Sequence, residues 1–275
     1  MREVRLKLRG GLGNQLFQYC AGAYHARAFN AKLLIDDSDV YKHWDESRRS
    51  WLREIDYKET FRFSNVKWIS KTQRMSQRVI RKMYAEEKHF NEDLLKSISF
   101  LSRDITISDW FHDKYYVEEL LSKTAKSKQV LTKLVLKIPL TSEDNLIAPN
   151  RAALHIRLGD FKNTNWGVLP SNWYYARVRN LKGLNIDEID CYSDDIVEAK
   201  SLIQSWKLNF TFRFPEVQRQ LKPHELLYTL TRYPNFISSN STLSWWASYF
   251  NQNQRPLILC NWSKHLRLEN WTYYE

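Results

Sequence analysis

The chain has 275 residues, a net charge of +11 and an aromatic content of 14%, with 11 Trp. That length suits one large domain or two of roughly 140 residues each, and either can bury a substantial core. It carries no uncharged apolar run long enough to span a bilayer and no N-terminal apolar stretch of signal-peptide type, so a cytoplasmic chain, at most peripheral to a membrane, is expected. Cys20, Cys191 and Cys260 lie far apart, form no CxxC pair and are odd in number, which argues against a zinc knuckle or a disulfide framework.

In chain order, Val4-Arg5-Leu6-Lys7-Leu8 predicts a strand over about 3–9. Gly10-Gly11-Leu12-Gly13-Asn14-Gln15 follows, then a helical segment to about Phe29 and a second strand, 32–35, that ends at Asp36-Asp37. This β–Gly-loop–α–β opening is the start of a doubly wound domain. The stretch 45–100 is charged and irregular, with one good helix at about 71–84. Between Phe61 and Ala85 there are seven Lys or Arg and no Asp or Glu, and Lys71, Arg74, Arg78 and Arg81/Lys82 share a helical face. A solvated helix face explains this basic 62–82 segment; peripheral contact with an anionic leaflet or a lipid-pyrophosphate-linked substrate is the functional alternative. No motif of a nucleic-acid-binding module occurs, so no nucleic acid partner is expected. Ile105-Thr106-Ile107 predicts a strand leading into Asp109-Trp110-Phe111-His112 and a helix from about Tyr115.

The Pro-flanked polar segment from Pro139 to Pro149 reads as the linker, giving domains of 1–145 and 146–275. Beyond it, strands at about 151–157, 188–193, 210–213, 234–239 and 256–260 alternate with helices at about 171–181, 194–205, 222–232 and 242–251. Such alternation implies a parallel sheet with helices on both faces. The expected architecture is α/β, two Rossmann-like doubly wound domains facing a central cleft.

Four groups of residues at strand ends have chemistry to offer. The turn containing Gly11, Gly13 and Asn14 lets backbone approach a phosphate, and the helix start behind it offers N–H donors. With Asp36 at ribose distance it is also a defective dinucleotide fingerprint, since Leu16 stands where the third glycine belongs; a dehydrogenase is thus a rival. In His155-Ile156-Arg157-Leu158-Gly159-Asp160-Phe161 a strand runs out into a Gly-Asp turn, placing His155 and Arg157 on one face. Arginine's planar fork matches phosphate. Asp194 and Asp195 follow another strand, as ligands for a base or ribose or as helix caps. Ser239-Asn240-Ser241-Thr242 and Ser244 have the composition of an anion-binding helix start. Asp37-Ser38-Asp39 is a weak DxD, and no His/Cys cluster has metal spacing, so no metal is expected.

GGLGNQLFQYCAG, HIRLGDF, YSDD and SNSTLSWWAS, in this order, resemble the motif set of the bacterial α-1,2-fucosyltransferases, glycosyltransferase family 11, whose segments typically read GGLGNQMFQYAFG, HIRRGDY, FSDD and NSTFSWWAAWL. Smaller echoes include Trp110 to Tyr116, Trp173-Tyr174-Tyr175 and Pro256 to Trp262, and the resemblance spans about residues 4–262. It implies a GT-B fold and transfer of L-fucose from GDP-β-L-fucose, with inversion and without an obligatory metal or other cofactor, to the 2-hydroxyl of a galactose-terminated glycan. On this sequence it implies that Arg157 binds the β-phosphate and offsets charge on departing GDP, that His155 holds the nucleotide and that Asp194 contacts guanine or ribose. Asn240, Ser241, Thr242 and Ser244 would line the diphosphate, with Gly11, Gly13 and Asn14 closing over it from the other domain. The family's second arginine is Leu158 here, and its tyrosine is Phe161. No motif identifies a general base; Asp160 is the nearest carboxylate in sequence, as a base or as a brace for Arg157. A transferase of another GDP-sugar, such as GDP-mannose, is the nearest alternative.

Overall fold

The computed structural model describes residues 2–40, 49–55, 104–122, 147–163, 167–251, 259–260, 264–268 and 273–274. The chain divides into two units, Met1–Leu134 and Val135–Glu275. The helix expected at 71–84, the basic 62–82 face and most of the Pro139 to Pro149 linker lie outside the described residues.

In the first unit, β1 (Glu3–Lys7) is the middle strand of a parallel sheet, with β2 (Lys32–Asp36) on one side and β3 (Asp104–Ile107) on the other. Val4, Leu6, Ile35, Ile105 and Ile107 are buried, as expected of parallel strands covered by helices. The covering helix α1 (Leu12–Ala28) follows the glycine turn and buries Leu16, Phe17, Cys20 and Ala21. It lies close to the sheet at Gly22, where an added Cβ would sit 3.0 Å from Leu6 and Leu33 side-chain atoms. Close helix packing, the job of a dinucleotide fingerprint's third glycine, is thus done at Gly22, while Leu16 is buried in the core. A short helix α2 (Trp51–Ile55) and α3 (Lys114–Ser122) complete the described part. Asp113 caps α3, its carboxylate accepting from the Tyr115 N–H at 2.9 Å.

The second unit is built on four parallel strands, β4 (Arg151–Ile156), β5 (Glu188–Ser193), β6 (Thr211–Arg213) and β7 (Asn235–Ile237), in the order β6-β5-β4-β7. β4 is flanked on both sides, and all its residues after Arg151 are buried. Between the strands run α4 (Ser171–Asn180), α5 (Ile196–Gln204) and α6 (Pro223–Thr231), and α7 (Thr242–Phe250) follows β7. The chain winds outward from β4 to β6 and then crosses back to β7; with right-handed crossovers this sends α4 and α5 to one face and α6 to the other. The core agrees, since Trp173, Tyr174 and Val178 of α4 pack with Ala199 and Ile203 of α5 in one cluster with Leu154, Ile156 and Leu158. The strand expected at 256–260 is described only as β8 (Leu259–Cys260), which pairs with β9 (Tyr273–Tyr274) apart from the main sheet.

Both units are therefore α/β with parallel sheets, and both reverse direction next to their first strand. In a doubly wound sheet ligands collect at the strands' carboxyl ends at that reversal. It lies between β1 and β3 in the first unit and between β4 and β7 in the second.

Candidate functional site

In the second unit the reversal brings together the exits of β4 and β7. His155, near the end of β4, is 3% exposed, and its Nδ1 lies 2.5 Å from the Ser244 Oγ and 3.3 Å from the Ser239 Oγ. The two hydroxyls are 3.1 Å apart. Burial first, and then the Arg157 charge, push the imidazole pKa down to about 3, so the ring is neutral near pH 7. This cluster ties the first turn of α7 to β4. Ser241 is the N-cap of α7, its Oγ accepting from the Leu243 N–H at 3.2 Å, and Thr242 opens the helix. Asn240, also 3% exposed, donates its amide N–H to the Gly167 carbonyl at 2.9 Å, and its Oδ1 is buried with no hydrogen-bond partner among the described residues. The Asn240 amide thus keeps its carbonyl oxygen and its second N–H for another partner.

Arg157, half-buried just past β4, is held between two carboxylates. Its Nη2 donates to Asp160 Oδ1 at 2.7 Å and its Nη1 lies 3.2 Å from Asp194 Oδ2. Its guanidinium also lies over the Phe161 ring, 5.6 Å from the centroid, and its Nε has no hydrogen-bond partner among the described residues. Asp194 is fixed in turn by the Leu158 N–H, which donates to its Oδ1 at 2.9 Å. Gly159 makes this approach possible, because a Cβ there would sit 2.5 Å from Asp194 Oδ2. Asp195 is the helix cap, accepting from the Glu198 N–H at 3.0 Å, a bond that holds its carboxyl below the usual carboxylate range. Leu158 points away from this charged face into the core and is 1% exposed.

The first unit's reversal is made of different material. Gly10, not Gly11 or Gly13, has the left-handed conformation, with φ +68°. Gly11 is the N-cap of α1 and Gly13 is buried within the helix. Two amides pin the turn. The Gln15 Nε2 donates to the Gly10 carbonyl at 2.8 Å and to the Arg49 carbonyl at 2.7 Å, while Gln18 accepts from the Arg9 N–H at 2.9 Å and donates to its carbonyl at 3.2 Å. Asn14 Oδ1 lies 2.9 Å from the His112 Nε2, and burial pushes the His112 pKa down to about 4. Asp36 is buried, its Oδ1 accepting from Ser38 N–H at 3.1 Å and Oγ–H at 2.6 Å. The carboxylate a dehydrogenase needs for ribose is thus turned to the protein's own backbone. Asp37 is paired with Arg53 at 2.7 Å and Asp39 with Lys7 at 3.6 Å, so both acids of the DxD have basic partners. Among the described residues no group of three or more His, Cys, Asp or Glu is placed to hold a metal ion.

The structure thus gathers His155, Arg157, Asp160, Asp194, Asn240, Ser241, Thr242 and Ser244 at the reversal of the second unit, and Gly11, Gly13 and Asn14 at that of the first. Gly10, Gln15, Gln18 and Gly159 carry local geometry to which the sequence assigned no role of their own. A signal for the glutamines was present: two amides three residues apart on the apolar side of a helix need partners.

No protein-family model matches the chain. It is related to the O-antigen biosynthesis glycosyltransferase WbnK of Escherichia coli, 22% identical over 279 residues that cover 92% of this chain and 91% of that one. It is also related to an alpha-1,2-colitosyltransferase of Escherichia coli, 24% identical over 270 residues that cover 90% and 88%. Solved structures similar to it include the fucosyltransferase NodZ from Bradyrhizobium, at 14% identity and TM-score 0.47 over 90% of this chain and 92% of that one. POFUT1 in complex with GDP is similar at 13% identity and TM-score 0.43 over 94% and 98%.

Proposed function

From the premise that the chain is, over nearly its whole length, a homologue of glycosyltransferases, we propose that it is a GT-B transferase of family 11. The reaction is transfer of L-fucose from GDP-β-L-fucose to the 2-hydroxyl of a galactoside, with inversion and without a metal, in the assembly of a surface polysaccharide or oligosaccharide. The observation that carries this reading is Arg157 at a parallel-sheet reversal, held beside a helix start that the buried His155, Ser239 and Ser244 tie to the same strand. The name of the colitosyltransferase relative supports both the deoxysugar class and the α-1,2 linkage.

In this reading the bond between the sugar's C1 and the diphosphate oxygen breaks while the acceptor hydroxyl adds from the opposite face. That hydroxyl gives its proton to the departing phosphate, or to Asp160 if that residue serves as base. Charge gathers on the departing GDP, and Arg157, with the helix start of Ser241 and Thr242, offsets it. Two carboxylates hold Arg157 before the donor arrives, so the diphosphate takes over at least one of their contacts. Asp194 then turns to the guanine edge or ribose. Asn240 can offer its buried acceptor oxygen to a hydroxyl or N–H of the nucleoside and its second N–H to a phosphate oxygen. His155 and Ser244 act by positioning α7. Asp160 braces Arg157, and its service as general base is tested below.

The test is transfer to a galactoside in EDTA from GDP-fucose, GDP-colitose and GDP-mannose, with product linkage and anomeric configuration read by NMR. An α-1,2-fucosylated product with GDP-fucose preferred is the expected result. Preference for GDP-colitose, which carries the sugar in the second relative's name, would keep the transferase and change the sugar. No transfer from any of the three would overturn the reading.

A further inference from the structure

Trp110 is 43% exposed, and among the described residues it is the one aromatic side chain among the exposed large hydrophobic groups. It stands just past β3, on the opposite side of the first unit's reversal from Gly10, which stands just past β1. The backbone that presents it is strained. Phe111 has φ +52°, a conformation costly for a bulky residue, and is wholly buried. That twist drives the Phe111 ring into the core and leaves the Trp110 indole outside, while the Trp110 backbone N–H donates to Asp109 Oδ1 at 2.7 Å. Next along the chain, the His112 ring lies 5.9 Å from the indole.

The absent Cβ of Gly10 locates the rest. A Cβ there would meet the Asn14 Nδ2 and would lie 3.0 Å from a Trp110 ring carbon. The missing side chain of Gly10 is therefore what lets the Asn14 amide and the indole pack closely over the turn. Asn14 is oriented by the His112 Nε2 at 2.9 Å on its Oδ1, which leaves the Nδ2 on the Gly10 side. The His112 ring, its pKa lowered by burial, carries no charge near pH 7. An exposed indole face beside a buried, neutral imidazole is chemistry for a neutral polyol ring, whose C–H groups pack on the indole.

We propose that Trp110, seated over Gly10 and beside the Asn14–His112 pair, is the stacking platform for the acceptor's sugar ring. The inference rests on the transferase reading above and assigns the acceptor's place to this half of the chain. It accounts for the strain at Phe111, which a merely solvated tryptophan does not require. The indole supplies area and orientation, so its loss is felt in acceptor affinity and not in donor affinity.

The test uses the full chain and two probes. One is a panel of methyl hexopyranosides and methyl N-acetylhexosaminides, followed by saturation-transfer NMR; the other is GDP, followed by the rise in Tm. The wild type is expected to transfer saturation to the C–H protons of at least one glycoside. Trp110→Ala is expected to weaken that signal and to raise the acceptor KM about tenfold, with Trp110→Phe in between and the GDP-induced rise in Tm unchanged. An alanine variant with wild-type saturation transfer and acceptor KM overturns the proposal. So does one that loses the GDP effect, since the indole would then belong to the nucleotide site, and so does a wild type that binds no glycoside of the panel. A wild type that binds a glycoside through Trp110 but ignores GDP sinks the GDP-sugar reading instead and leaves the platform standing.

Discussion

The two sheet reversals of this chain share a topology and differ in substance. The second unit lines its reversal with fixed charge, Arg157 between Asp160 and Asp194, backed by the buried hydroxyl and imidazole cluster of His155, Ser239 and Ser244. The first unit lines its reversal with amides and rings, Gln15, Gln18, Asn14, His112 and Trp110, around a left-handed glycine. One arrangement suits an anionic leaving group and the other a neutral ring. The same fold logic gives both units a strand-end reversal, while the side chains decide what each can hold.

The sharpest way to break this contrast is to remove its cation. Arg157→Ala is expected to lower transfer by about 100-fold or more, as loss of one oxyanion-type donor does, with far-ultraviolet circular dichroism unchanged. Transfer within a few-fold of wild type would show that the charge at the second reversal is not used in the reaction. Leu158→Arg restores the residue more usual in the resembled family, yet here it puts a cation into a core position that is 1% exposed. It is expected to destabilise the chain by about 3 kcal/mol in urea unfolding; wild-type stability with higher activity would contradict the inward placement of Leu158.

The glycines separate the two reversals further. Gly10→Ala meets both a positive φ and the Asn14 amide, so a loss of about 1–2 kcal/mol is expected from the strain alone. Gly159→Ala has no such backbone strain. It presses on Asp194 and is expected to reduce transfer more than Tm. Equal effects of the two substitutions on Tm would remove the distinction.

Much of this was legible in the sequence, for identifiable reasons. Apolar runs such as Ala152-Ala153-Leu154 and helix-period segments between them fix strands and helices, and every strand expected within the described residues is present, apart from shifted ends. The exits of β4 and β7 were readable because Arg157 and the run Ser239-Asn240-Ser241-Thr242 are chemically unlike core. What was not readable depends on distance between segments. Nothing in the local sequence says that Asn240 spends its N–H on Gly167, that Asp194 reaches the Leu158 N–H, or that Gly10 and not Gly11 takes the left-handed turn. Asp194 and Asp195 look alike in sequence; tertiary packing makes one a partner of Arg157 and the other a helix cap.

Buried imidazoles give a pH signature. His25 and His155 have pKa values lowered to about 3 and His112 to about 4, in each case chiefly by burial. The unfolded chain protonates these rings near pH 6.5 and the folded chain does not. Their contribution to stability is therefore intact above about pH 6.5, falls as pH drops, and levels off near the folded values. The slope is up to about 1.4 kcal/mol per pH unit for each ring. Urea unfolding at pH 7 and pH 5 checks this; equal stability at both would contradict burial of these rings in neutral form. The smallest expected effect separates the two roles of Asp160. Asp160→Asn keeps a hydrogen-bond partner for Arg157, so a brace predicts a loss of a few-fold in transfer. A loss of about 100-fold or more, with GDP binding intact, would identify Asp160 as the base.

In the proposed function the charged reversal of the second unit is a metal-independent nucleotide diphosphate site. Thermal unfolding in EDTA, with GDP and in parallel with NAD, tests it most directly. The expected result is a rise in Tm with GDP that grows with its concentration, is absent in Arg157→Ala, and has no counterpart with NAD. A rise with NAD and none with GDP would contradict it.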